Sequence, residues 1–510
     1  MNKIHTIKMF KTSKFYLLFL LGAILSSCNG EAKKQPKPII TGGLTFNSSY
    51  KELDKAFSWA KNKALSYAHD NSDPVGYWYE AALPDREAFC MRDVSHQALG
   101  AELLGLGKHN YNMFLKFAQN ISKEKDYCTY WEINRYNKPA PVDYENDQDF
   151  WYNLPANFDI TYSAYRLYKW TGNEEYLNNP DLINFYELTL NDYLDRWELG
   201  SDKTLNRSRS LNSPENPEKS RFGNKRGIPT YNEGGRGETS LGIDMTASIV
   251  AAYKAYSEML KLRNDLPKSL KYGQKAQQEQ AFLNEFWWDT EKQEYRSILY
   301  GDGSYDYFMV GKNQAFLHYL FYFNAIQDAS KISDVVDKYE ANYGKLIVEL
   351  KSYLPIIFYE NNKSTLANSM IINLCSPLNT RRAYPENSFT VIEAITRGLM
   401  GIDADAPLNG FMSLSRLDKE NEWAEITNVP LLSNIVGLKH FGKTKSIAHN
   451  ILGATIKWTA KMQGVHEFLF VNGEKTNCTV DSNSPQPYSY ITIDLKENEK
   501  VTVSTTSKAI

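Results

Sequence analysis

Apolar residues recur at helical spacing through most of this chain and change to strict alternation only near its end. The helical period predicts helices over residues 50–68, 94–106, 111–122, 157–170, 183–197, 243–262, 274–286, 312–326, 332–350 and 389–400. Between them run long loops rich in Gly, Pro, Asn and aromatic residues, and loops of such length inside a domain usually carry function. About ten helices, with one or two more in weaker patterns, fit six helical hairpins closed into a ring. Loops at one end of such a ring would line a cleft.

Toward the C-terminus the period drops to two. Residues 455–459 alternate, Phe468 to Val471 lead into Asn472-Gly473, and Ile491, Ile493 and Leu495 alternate again. Asn-Gly between apolar runs is a hairpin signal. Residues 408–510 are therefore expected as a β-rich module behind a helical body at 48–407.

The most informative junction of loop and helix lies at residues 223–252. Gly223, Gly227, Pro229, Gly234, Gly235 and Gly237 break regular structure, and a uniformly apolar helix follows from Ile243. Glu233 and Glu238 sit in the loop. A glycine-rich loop lets backbone approach a ligand while the helix behind holds it still, which suits a catalytic acid. A plain solvated loop is the competing reading.

Composition narrows the class. Hydrophobic residues at 42% and charged residues at 23% describe an ordinary globular chain, but 34 Tyr, 24 Phe and 10 Trp are many. Rings with polar edges suit wet clefts such as those that bind sugars. Net charge is −2; the first 27 residues hold four Lys and no acid, leaving 54 basic against 60 acidic side chains. No basic run stands out, so a nucleic-acid partner is not expected.

Residues 1–27 read as an export signal, with Lys3, Lys8, Lys11 and Lys14 before a short apolar run. The run ends in Leu25-Ser26-Ser27-Cys28, which resembles the lipobox of bacterial lipoproteins. That resemblance implies lipidation of Cys28 and a place in the cell envelope, anchored to the outer membrane. The membrane is then met through the lipid alone, and residues 28–47 form a tether. Cys90, Cys128, Cys375 and Cys478 are widely spaced, with no metal-ligand pattern, so neither metal nor cofactor is expected.

Three further stretches offer chemistry. Arg92 and Asp93 precede an expected helix, with His96 one turn on; a donor beside an acceptor can grip vicinal hydroxyls, and Asp93 could equally cap the helix. Trp151, Tyr152, Asn157 and Asp159 combine rings with planar polar groups, as a pyranose face and rim require. Arg381 and Glu386 enter another apolar helix, and Glu386 is expected to stay ionised among Arg381, Arg382 and Asn387. Glycoside hydrolysis needs two carboxyl groups. Glu238 is the expected acid, with Glu233 in reserve, and Glu386 the expected base.

Arg92-Asp93 ahead of a helix resembles the pair that holds the terminal sugar in glucoamylase-like enzymes. Residues 243–255 resemble the inner helix after the acid loop of trehalase-like enzymes, although no Gly-Trp-Asp precedes Asp244. Phe286-Trp287, Asn313 to Phe316, and Trp423 to Ile426 are similar to later parts of the same superfamily, the six-hairpin glycosidases. The resemblance implies an (α/α)6 barrel, an inverting glycoside hydrolase acting on terminal sugars, and a carbohydrate substrate. The residues expected to contact substrate are Arg92, Asp93, His96, Trp151, Tyr152, Asn157, Asp159, Arg236 and Arg381. Two other readings stay open: a polysaccharide lyase on a helical toroid, and a non-catalytic glycan-binding lipoprotein.

Overall fold

The computed structural model describes residues 43–83, 86–206, 219–223, 226–233, 239–310, 316–482 and 486–507. Residues 1–42, and with them the expected signal, Cys28 and most of the tether, lie outside the described residues, as do Arg236 and Glu238. The principal helices are α1 (Lys51–Leu65), α2 (Met91–Leu103), α3 (Gly107–Gln119), α4 (Pro155–Thr171), α5 (Pro180–Leu188) and α6 (Ile243–Leu262). They continue with α7 (Leu266–Phe286), α8 (Tyr319–Tyr322), α9 (Ala329–Asn342), α10 (Leu354–Glu360), α11 (Ser364–Cys375) and α12 (Pro385–Glu393).

Their side-chain patterns sort them into two layers. Helix α1 buries Leu53, Ala56, Phe57, Ala60 and Ala64, one stripe, and keeps its other face polar. Helix α6 is buried on nearly every face, in keeping with its mostly small and apolar residues. The even-numbered helices pack side by side: α2 on α4, α4 on α6, α6 on α8, and α12 on α2. Tyr319 of α8 meets Tyr353, just before α10, with hydroxyls 3.2 Å apart, and α10 packs on the π-helical turn Ala394–Leu399 that continues α12. Odd-numbered helices flank them, with α1 on α11 and α12, α3 on α2, and α7 on α6.

The contact of α2 with α12 is unusually close. A Cβ built at Gly100 would lie 2.1 Å from the backbone oxygen of Phe389, so only glycine fits. That approach sets the first turns of the two helices, and their polar side chains, against each other.

Around the helices lie strands β1 (Thr45–Ser48), β2 (Asp403–Asp405), β3 (Gly410–Leu414), β4 (Trp423–Leu431), β5 (Asn434–Phe441) and β6 (Lys445–Leu452). The series ends with β7 (Ile456–Gln463), β8 (Phe468–Val471), β9 (Glu474–Asn477), β10 (Thr479–Asp481), β11 (Tyr488–Leu495) and β12 (Lys500–Ser504). One sheet runs β1-β4-β5-β6-β12-β8-β9 and the other β2-β3-β7-β11-β10. The expected β8–β9 hairpin forms, with Asn472 and Gly473 both at positive φ.

Several boundaries differ from expectation. Residues 45–47, expected as tether, belong to an edge strand: Phe46 pairs with Ile426. Helix α2 starts at Met91, so Arg92 and Asp93 lie within its first turn, and the position before the helix is Cys90 rather than a capping Asp93. The helix expected over 312–326 is described only at Tyr319–Tyr322, with 311–315 outside the described residues. That expected over 332–350 stops at Asn342, ahead of Gly344. Helices α10 and α11 are additional.

Candidate functional site

Helix α2 presents Arg92, Asp93 and His96 toward the first turn of α12. The Tyr384 hydroxyl donates to Asp93 Oδ1 at 2.7 Å and accepts from Arg92 Nη2 at 3.0 Å. Arg92 Nη2 also meets Asp93 Oδ1 at 3.0 Å and Glu386 Oε2 at 3.5 Å. The other oxygen of Glu386, Oε1, is 3.0 Å from His96 Nδ1, and Tyr353 stacks on that imidazole with ring centroids 3.3 Å apart. Four expected residues from two distant stretches therefore meet in one cluster. Tyr384, the position before α12, is the hub that sequence reading left without a role.

The surroundings of Glu386 differ from those expected. Arg381 pairs with Glu349 and lies over the Tyr384 ring at 4.9 Å, and Arg382 lies over Trp59 at 4.2 Å. Neither accompanies the Glu386 carboxyl, which is fully buried. Burial pushes its pKa well above the ordinary range, outweighing the opposite pull of Arg92. Burial likewise depresses His96 well below its usual value. Both shifts disfavour the charged forms, a setting that suits Glu386 to holding a proton more than to the ionised state expected of it.

Asp159, one turn into α4, is fully buried and accepts from Tyr322 at 3.0 Å and Tyr231 at 3.1 Å. Burial raises it to about 7 against those hydrogen bonds. Tyr231 belongs to the segment leading into the glycine-rich loop, and a second buried acid holds the same place. Asp244, in the first turn of α6, accepts from Thr230 Oγ1 at 2.8 Å and from the Tyr231 amide at 2.6 Å. The start of the loop is thus pinned from two helices, and Glu233 stands exposed just beyond it.

Sugar contact and core packing are equally open to Trp151, Tyr152 and Asn157 by sequence, and Tyr152 and Asn157 are buried in the core. Tyr152 is fully buried and donates to Asn157 Oδ1 at 2.5 Å, while Asn157 Nδ2 donates to the Tyr127 carbonyl at 3.2 Å. Both are packed interior and face no cleft. Trp151 is half-buried and donates to Asn153 Oδ1, and Asn153 in turn donates to the Thr230 carbonyl at 2.8 Å. This stretch braces the loop.

A buried carboxyl pair was missed. Arg86 Nη1 is 2.7 Å from Glu132 Oε2 and 3.6 Å from Asp143 Oδ2. Glu132 lies opposite Cys90 in a short strand pair, directly ahead of Arg92. Burial raises Glu132 to about 8 and Asp143 in the same direction. The only signal was the aromatic-polar run 130–136. Among the described residues no group of His, Cys, Asp and Glu is arranged to hold a metal ion. No described helix is long and apolar enough to cross a membrane.

No family model and no curated protein matches this chain. Solved structures do share its fold. An α-L-rhamnosidase from Dictyoglumus thermophilum superposes with a TM-score of 0.58 at 11% identity, over 90% of this chain and 50% of the other. A GH78 family rhamnosidase of Bacillus sp. GL1 gives 0.54 at 11% identity, over 82% and 41%. A sialidase gives 0.52 at 11% identity, over 78% and 38%. The chain spans half the length of these proteins or less, and at such identity the likeness is one of fold.

Proposed function

We propose that the protein is a glycoside hydrolase that removes terminal sugars from oligo- or polysaccharide outside the cytoplasm. The observation that carries this reading is the Arg92–Asp93–Tyr384–Glu386 cluster at the N-terminal ends of α2 and α12. Its setting supports the same reading, since the fold is shared with two rhamnosidases and a sialidase. The succession of even-numbered helices inside odd-numbered ones is read as an (α/α)6 barrel with a β-rich module.

In this account Arg92 and Asp93 grip adjacent hydroxyls of the terminal sugar, one donating and one accepting. Glu386, whose hold on a proton burial strengthens, delivers that proton to the leaving oxygen. An ionised carboxylate on the glycine-rich loop, Glu238 or Glu233, activates water on the opposite face. The roles expected from sequence are thereby exchanged, because burial suits Glu386 to the acid and leaves the base to the loop, where Glu233 is exposed. Direct attack by water inverts the anomeric centre and asks for carboxyls roughly 6.5–9.5 Å apart. Cys28, lipidated, tethers the enzyme to the outer membrane on its periplasmic or outer face.

The experiment is turnover of a panel of aryl glycosides by wild type, Glu386→Gln, Glu238→Gln and Glu233→Gln. The account expects loss of turnover in Glu386→Gln and in one of the two loop variants. Normal turnover by Glu386→Gln contradicts it.

A further inference from the structure

A cavity of about 460 Å³ lies behind the cluster just described and shares His96 and Tyr353 with it. Its walls come from the later turns of the same helices: Tyr162 to Trp170 in α4, Ala251 to Glu258 in α6, and Thr390 to Arg397 in α12 and its π-helical continuation. Glu386 and Glu393 are seven residues apart on one helix, as are Asp159 and Arg166, so each pair is separated by about 10 Å along the axis. Between the two ends stands a layer of side chains. His96 contacts Glu386 on one side and lines the cavity on the other, with Tyr353 stacked on it and Tyr322 at its edge. The chamber is thus backed by the same residues that pack against Glu386.

We propose that this chamber is a second binding site, for a neutral mono- or disaccharide, separate from the cleft at the N-terminal ends of the inner helices. Its charges are already matched. Arg166 and Arg397 both donate to Glu393 Oε1 at 2.7 Å, and Arg397 reaches Asp403 at 3.4 Å. The remaining ionic lining, Lys169 and Lys254 with Glu258 and Glu360, also balances two against two. A charged ligand finds no surplus of opposite charge, whereas a polyhydroxylated neutral one finds many donors and acceptors.

The rings set the shape. Arg166 already covers Tyr162 and Tyr322, at 5.6 and 5.1 Å from their centroids. Tyr165 and Phe321 are the half-buried rings left to stack on a pyranose face. Glu258 is about half exposed and Lys169 about one-third, so the mouth opens at the C-terminal ends of α4 and α6. The volume falls in the range of roughly 300–1,000 Å³ typical of small-molecule sites. The sugar chemistry deepens the glycoside-hydrolase reading, yet the site stands on its own lining.

Calorimetric titration of the purified protein tests it, using glucose, galactose, rhamnose, cellobiose and lactose, with glucuronate and glucosamine as charged controls. Variants Tyr165→Ala and Glu258→Arg alter the mouth, and Asp93→Asn alters the cleft. The expected result is saturable binding of at least one neutral sugar, weakened at least tenfold by each mouth variant and kept in Asp93→Asn. Glu258→Arg changes a surface position, so it decides the matter should Tyr165→Ala fail to fold. Absence of binding by all five neutral sugars overturns the proposal. So does preference for a charged control, or loss in Asp93→Asn with both mouth variants unaffected. Aryl-glycoside turnover in parallel separates the two readings: chamber binding without turnover contradicts only the hydrolase, and turnover without chamber binding contradicts only the second site.

Discussion

His96 Nδ1 stands 3.0 Å from Glu386 Oε1, and both groups are buried among aromatic rings. Burial disfavours the charged form of each, raising the carboxyl pKa and lowering that of the imidazole. In the proposed mechanism that setting suits Glu386 to the part of the acid. As the proton donor it makes activity fall as pH rises through its elevated pKa. Glu386→Gln should lower kcat about 10²–10⁴-fold and abolish that alkaline limb. A variant that keeps the limb assigns it to another group. Circular dichroism of the variant confirms that the fold is intact.

Asp93 and Arg92 are predicted to position substrate. Asp93→Asn leaves Tyr384 with an acceptor but removes the charge opposite Arg92. The cost should be about 2–3 kcal/mol in kcat/KM, as for a hydrogen bond to a charged group. Steady-state kinetics on a cleaved glycoside would show this. Unchanged kinetics would return the pair to a structural role in the α2–α12 contact.

That contact has its own test. Gly100→Ala places a methyl group against the Phe389 carbonyl, so helices α2 and α12 must separate. Overpacking of this kind costs about 1–3 kcal/mol, and denaturant unfolding should report it. Activity should drop as well, because Glu386 moves with α12 away from Arg92 and His96. Stability equal to wild type would show that the helices have room.

Asp159 predicts a pH effect on stability. Its carboxyl is raised from an ordinary 3.8 to about 7, so between those values the folded chain binds more protons than the unfolded one. Stability from this group is full below about 3.8 and is lost as pH rises through about 7. Asp159→Asn should therefore flatten the fall in Tm between pH 4 and pH 8 relative to wild type. An identical slope in both proteins would count against it.

Much of this architecture was legible in the sequence, and the exceptions have physical causes. Residues 243–262 were found to the residue because apolar residues dominate this helix until its last turns and Gly242 and Asn264 flank it. The Asn472-Gly473 hairpin was equally plain. Helices α10 and α11 escaped because α10 is a short apolar run behind Pro355 and α11 follows after three residues. Arg92, Asp93, His96 and Glu386 stood out as polar groups at the entrances of apolar helices. What a single sequence could not give was depth. Tyr152 and Asn157 have the chemistry of a sugar rim, yet they are buried, and burial depends on which helices close over them. The burial of Glu386 was hidden in the same way.

The envelope location rests on Cys28. Cys28→Ser should abolish incorporation of labelled palmitate and shift the protein from membrane to soluble fractions, leaving activity unchanged. Equal partitioning of the two forms would remove the anchor from the account.

Product analysis of the purified protein on an oligosaccharide panel, by NMR with ultraviolet absorbance followed alongside, tests the central claim most directly. The account predicts release of a saturated terminal sugar whose first-formed anomer is opposite to that of the substrate. An unsaturated, ultraviolet-absorbing product would identify a lyase, and binding without cleavage across the panel would identify a glycan-binding protein; either result contradicts the account.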